Sequence, residues 1–160
     1  MLTKNGKNLI LSGLIQKKID YKLTDGSVIT FSYSNPKNIF EPGKMIVNSG
    51  TKYQYCGMCV LGSGTTKESD SDFKLEQQVD VLTNNSLSLT QVITNNEEFG
   101  DEEFRYVAIF TNNTQNKVTV TEIGLIFIYS DPNNILFYRK TFDPVTFEVG
   151  ETKTFTIVLS

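Results

Sequence analysis

The feature that most constrains this chain is a two-residue alternation of apolar and polar side chains. It recurs in short runs and is broken each time by a polar turn. Alternation of this period puts one face of a strand in a core and the other in water, which a helix cannot do with the same residues. Ile19, Tyr21 and Leu23 alternate first. Asp25-Gly26 then supplies a hairpin turn, and residues 28–33 form the returning run. Further strands are expected over 53–61, 79–82, 87–93, 104–110, 118–129 and 135–141, then around Val145, Phe147 and Val149, and last around Phe155, Ile157 and Leu159. Leu87, Leu89 and Ile93 are expected on one face of their strand, and Phe104, Tyr106, Ala108 and Phe110 on one face of theirs. Residues 123–128 are apolar without alternation, the mark of a strand dry on both sides. Gly124 inside that run predicts a bulge or a close backbone approach.

Only the beginning departs from this period. Leu9, Ile10 and Leu14 recur at helical spacing, and Thr3 is placed to cap the start, so residues 3–15 are expected to be helical. The fold class that follows is mainly β: an antiparallel β-sandwich, jelly-roll-like, with a short N-terminal helical segment over 1–18. Its length of 160 residues fits one domain, taken as 1–160, large enough to need no disulfide or metal to hold a core. Phe and Tyr supply 11 and 7 residues, which excludes intrinsic disorder. No signal peptide and no membrane-spanning run is expected, so folding in a bacterial-type cytoplasm is the simplest expectation.

Charge narrows the function classes. The net value is −3, which gives no case for nucleic-acid binding. The split is uneven: residues 1–60 hold eight lysines against three acids, +5, and residues 61–160 hold seven basic against fifteen acidic side chains, −8. Such asymmetry is suited to head-to-tail packing of subunits. There is no histidine, which removes the commonest general base and metal ligand.

The motifs with chemical potential are weak one by one. Cys56-Gly57-Met58-Cys59 is a C-x-x-C, but on a strand its cysteines point to opposite faces roughly 10 Å apart, beyond disulfide reach. Gly62-Ser63-Gly64-Thr65-Thr66-Lys67 has the composition of a phosphate cradle without the P-loop spacing, and is expected to be a turn that reaches a neighbour. Asp70, Asp72 and Glu76 offer oxygens for Ca²⁺ without the glycine and glutamate positions of an EF-hand. Glu97, Glu98, Asp101, Glu102 and Glu103 form an acidic run around Phe99-Gly100, more consistent with a charged loop tip than with a paired-carboxylate glycosidase. No catalytic residue, cofactor or metal site is therefore expected.

Three stretches in order carry a resemblance. They are Asn5-Gly6-Lys7-Asn8-Leu9-Ile10, then Gly62-Ser63-Gly64-Thr65-Thr66 with Asp72 and Leu75, then Glu122-Ile123-Gly124-Leu125 with Arg139, Pro144, Val145, Gly150 and Glu151. Together they resemble a class of tailed-bacteriophage virion proteins found as head-decoration, head-fibre, tail or baseplate components. Lys67-Glu68-Ser69 departs from that class, where prolines are common. The resemblance implies a non-enzymatic virion protein, assembled in the host cytoplasm. It would act through contacts with capsid, portal or tail subunits or with copies of itself, and neither nucleic acid nor membrane would be a partner. Candidate contact positions are Gly62, Gly64, Thr65, Thr66, Asp72, Phe99 and Glu102. The competing expectations are a receptor- or glycan-binding fibre module, with Tyr33, Phe40, Tyr53 and Phe99 as candidate aromatics, and a depolymerase.

Overall fold

The computed structural model describes residues 1–15, 17–31, 56–79, 86–94, 104–130 and 133–159. These form one helix, α1 (Lys4–Ile15), and eight strands: β1 (Ile19–Lys22), β2 (Val28–Phe31), β3 (Cys56–Gly62), β4 (Leu87–Thr94), β5 (Phe104–Asn112), β6 (Val118–Ser130), β7 (Asn133–Phe147) and β8 (Thr152–Leu159). All pairing between named strands is antiparallel. The strands make a β1-β2 hairpin, a sheet of order β3-β6-β7 and a sheet of order β4-β5-β8. The chain is thus mainly β with antiparallel sheets, and no helix among the described residues is long and apolar enough to cross a membrane.

The hairpin forms where Asp25-Gly26 predicts it. Gly26 has φ 90°, which a side chain would strain, and Asp25 Oδ1 accepts from Ser27 N at 2.9 Å. Aromatic contacts join the two three-stranded sheets. Tyr106 of β5 meets Phe137 of β7 edge-on at 6.5 Å, and Phe155 of β8 lies 6.0 Å from Phe147 and 5.6 Å from Phe142 of β7. A second tie is the buried Asn112. Its amide donates to the carbonyls of Asn116 and Glu148, and its backbone accepts from Gly150 N and donates to Glu151 O. Asn112 is accordingly an internal fastener of two turns.

Bulges interrupt the pairing of β4 with β5 and of β6 with β7. β4 and β5 pair Leu89 with Phe110 but Gln91 with Ile109, so Thr90 is an extra residue. Beyond it the register is shifted by one, and Val92 pairs with Ala108 and Ile93 with Val107. The expected separate strands at 135–141 and around Val145 are one strand, β7. Residues 142–144 are looped out against Thr121 alone, which gives Pro144 a place where its missing N–H breaks no ladder.

Residues 1–3 run along the far side of β7. Thr3 N donates to Phe137 O at 3.0 Å, and Arg139 N to Met1 O at 3.1 Å. They thereby cover an edge that would otherwise present unpaired backbone groups. Thr3 also caps α1, accepting from Gly6 N at 3.1 Å, while its hydroxyl donates to Leu136 O at 2.8 Å. Gly6 lies so close to Phe137 O that a Cβ would collide with it.

Candidate functional site: a loop clasped over a buried ion pair

Residues 63–77 leave β3 and return to it. Gly62 bridges Gln78, Ser63 N donates to Gln77 O at 2.9 Å, and Val79 N to Leu61 O at 2.8 Å. Between these ends the loop has little regular structure, and the groups that hold it come from β6 and β7. Glu122 and Arg139 are diagonal neighbours there: Glu122 pairs with Thr141 and Arg139 with Gly124, which sets both side chains on one face. Glu122 is 0% exposed and Arg139 2%.

The Glu122 carboxylate is fully occupied. Oε1 accepts from Gly64 N at 3.0 Å and Gln77 N at 2.9 Å. Oε2 accepts from Arg139 Nε at 2.8 Å and Glu76 N at 3.2 Å. Arg139 continues outward, with Nη1 2.8 Å from Asp72 Oδ2 and Nη2 donating to Thr66 O at 3.0 Å. Burial works against its charge, but the hydrogen bonds to Asp72 and Glu122 prevail and raise its pKa. Around this centre Glu76 Oε2 accepts from Thr65 N and Thr66 N, both at 2.9 Å. Thr121 donates to Gly64 O at 2.7 Å, and Thr141 to Glu68 Oε2 at 2.6 Å. The loop is also tied to α1, through Lys4 N to Asp70 O and the Lys7–Asp70 ion pair at 3.6 Å.

The glycines of the G-x-G run follow from this geometry. A Cβ on Gly62 would stand 2.6 Å from Gln77 O, and one on Gly64 would stand 2.6 Å from Glu122 Oε1. Gly124 makes the close approach expected of it: a Cβ there would meet Leu136 at 2.8 Å and Leu75 at 2.9 Å. Leu75 also explains why β6 is dry on both faces, since the loop covers one of them. Gly64→Ala is therefore expected to cost about 1–3 kcal/mol by overpacking. The exposed Thr65→Ala should stay within about 0.5 kcal/mol. Denaturant midpoints of the two variants check this.

The site resembles an anion cradle in one respect. The amides of Gly64, Thr65 and Thr66 do converge on oxygens, but on the chain's own Glu122 and Glu76. Among the candidate contact positions, Gly62 and Gly64 are buried with an internal packing role, Asp72 is half-buried against Arg139, and Thr65 and Thr66 are exposed. Phe99 and Glu102 lie outside the described residues, as do Tyr33, Phe40, Tyr53 and the rest of the acidic run. Among the described residues no group of three or more Cys, Asp and Glu is placed to hold a metal. Cys59 is a buried free thiol whose pKa is pushed up by burial.

Sequence reasoning missed the Glu122–Arg139 pair as a centre. The available signal was one acid and one base inside otherwise apolar strands, because such groups are rarely buried unless paired. Compared with family models, curated proteins and solved structures, the chain finds no match.

Two carboxyls of the loop predict an acid-sensitive stability. The Thr66 amide, followed by its hydroxyl, holds the Glu76 carboxyl below its ordinary value, and the Thr141 hydroxyl does the same for Glu68. Folded values below the unfolded one, about 4.3 for Glu, mean that the unfolded chain takes up protons first. Stability should be level above that value and fall as pH drops through it toward the folded values. Thermal unfolding between about pH 7 and pH 3, with amide exchange at Thr65 and Thr66, checks this. A midpoint unchanged down to the acid end would contradict it.

Proposed function

We propose that this chain is a structural component of a tailed-bacteriophage particle: one antiparallel, jelly-roll-like β-sandwich over residues 1–160, held by neighbouring subunits. Its station is the outer head, as a decoration or head-fibre protein, or the tail assembly. It turns over no substrate and needs no cofactor, and its partners are other virion proteins.

The observation that carries this reading is the convergence of the residues behind the resemblance. Gly62, Gly64, Asp72, Glu122 and Arg139, far apart in sequence, meet in one clasp. Gly6 and Gly124 are close-packing positions beside it. Every polar group named in the clasp is directed at fixing the shape of a loop. The clasp leaves Thr65, Thr66 and Lys67 exposed on a rigid base. A preshaped loop lowers the ordering cost of a protein contact, and about 800 Å² per partner suffices for a specific one. Two three-stranded antiparallel sheets joined through Tyr106, Phe137, Phe147 and Phe155 support the sandwich.

Mass spectrometry of purified particles is the test. The chain is expected among the stoichiometric particle proteins, and its absence from them would defeat the proposal.

A further inference from the structure

The two sheets treat their edges differently. In the β3-β6-β7 sheet, residues 1–3 run along β7, and residues 77–79 close on the end of β3. In the β4-β5-β8 sheet, β8 pairs with β5 along its whole length without a bulge. Among the described residues no segment lies along its other side.

The phase of that pairing fixes which groups are left over. Asn112 N donates to Glu151 O at 2.9 Å, and the next amide, Asn113 N, turns the opposite way, to Ser86 O at 3.1 Å. Bonded and non-bonded pairs alternate along an antiparallel ladder, so Lys153, Phe155 and Ile157 bond to β5. Thr152, Thr154, Thr156 and Val158 therefore turn their N–H and C=O groups to the open side. These four residues are also the exposed ones of the strand.

Such an edge is a template for another strand unless a proline, a bulge or a charge blunts it. β8 has no proline and no bulge, and Lys153 is its one charged residue. That side chain is on the inner face, where Glu151 holds its Nζ at 2.6 Å beside the Phe147 ring.

We infer that β8 pairs antiparallel with the β8 of a second copy, about a two-fold axis at Phe155. The strand complements itself in that register. Thr154 of one copy stands opposite Thr156 of the other, and Thr152 opposite Val158. All four already face outward, so each pair exchanges backbone hydrogen bonds. Lys153 falls opposite Ile157, so no like charges meet, and the threonine pairs are favourable cross-strand neighbours. An isologous contact of this kind closes as a dimer. The inference rests on the structural-protein reading for its purpose and names one of its contacts.

Sedimentation equilibrium of the full chain between about 10 μM and about 1 mM is the experiment. A monomer–dimer equilibrium is expected. It should change less than about threefold between roughly 25 mM and roughly 500 mM salt, because no charges are opposed. Thr154→Pro removes an N–H that β5 does not use, which an edge strand tolerates, and should weaken the dimer about tenfold or more. Thr154→Val keeps the backbone and should leave it within about threefold. Circular dichroism confirms that both variants fold. Amide exchange needs no variant: Thr154 and Thr156 should slow as concentration rises, while Phe155, bonded to β5, is protected throughout. A chain monomeric at every concentration, or assembly beyond a dimer, would overturn the inference. So would a dimer indifferent to Thr154→Pro, or exchange at Thr154 and Thr156 that ignores concentration. If particles contain the chain while the purified chain is monomeric, this contact fails and the structural reading stands. A dimer of a chain absent from particles leaves the contact standing and defeats that reading.

Discussion

Replacing Arg139 by methionine is expected to lower the stability of the folded chain by about 3–5 kcal/mol. That is a large part of the roughly 5–15 kcal/mol that holds a domain together. The substitution fills most of the space but removes the charge and the guanidinium donors. Glu122, 0% exposed, is left as a buried carboxylate without its counter-ion, and Asp72 and the Thr66 carbonyl each lose a donor. In some proteins, replacing a whole buried ion pair with apolar residues restores stability. Here it should not. Glu122→Leu with Arg139→Met would also take the acceptor from the amides of Gly64, Glu76 and Gln77, which donate to that carboxylate. Lys140→Met, an exposed neighbour, serves as the control and should change stability by less than about 0.5 kcal/mol. Guanidinium denaturation measures the global effect. Limited trypsin digestion measures the local one: cleavage after Lys67 and Lys74 should accelerate in Arg139→Met under conditions where the parent loop is protected. A loss below about 1 kcal/mol with unchanged cleavage would show that the clasp does not hold the loop.

The contrast between what could and could not be read from the sequence has a physical basis. Local signals resolved well. Thr3 caps α1, Asp25-Gly26 turns the hairpin, and Tyr106, Ala108 and Phe110 share a buried face, because each depends on neighbours within a few residues. Register was not legible where an extra residue entered a strand. Thr90 shifts the register so that Ile93 pairs with Val107, and residues 142–144 let one strand continue where two were expected. A bulge is decided by the partner strand's register, which a single segment does not carry. The clasp was the least legible feature. Residues 62–67 have the composition of a free turn. What fastens them is Glu122, Arg139 and Glu76, brought within hydrogen-bonding distance only when β6 pairs with β7 and the loop closes on β3. The glycines could be seen from sequence as permissive positions. That their missing side chains make room for a carboxylate could not.

Phe147→Ala is the second substitution expected to cost about 3–5 kcal/mol, for a reason unlike the first. Phe147 ends β7, is fully buried, and stacks on Phe155 of β8 with centroids 6.0 Å apart and planes inclined by 26°. Phe155 in turn meets Phe110 of β5 edge-on at 5.9 Å. Truncating Phe147 opens a cavity at a point where one sheet touches the other, and the stacked pair adds about 0.5–1.5 kcal/mol to the lost burial. The neighbourhood cannot collapse freely, since the Phe147 carbonyl accepts from the Asn112 amide at 3.4 Å and the adjacent turn is tied to Asn112 as well. Lys153, whose Nζ lies 5.8 Å from the Phe147 ring centroid, loses a cation–π contact, but no carboxylate is involved, so the cost should be nearly independent of pH between about 5 and 8. The loop over residues 63–77 should remain protected from trypsin while the protein is folded. Phe147→Ala and Arg139→Met would then have similar denaturation midpoints but different digestion patterns, global for the first and loop-directed for the second. If Phe147→Ala instead costs less than about 1.5 kcal/mol, the aromatic junction does not bind the two sheets together, and the face-to-face packing that the sandwich requires loses its main support.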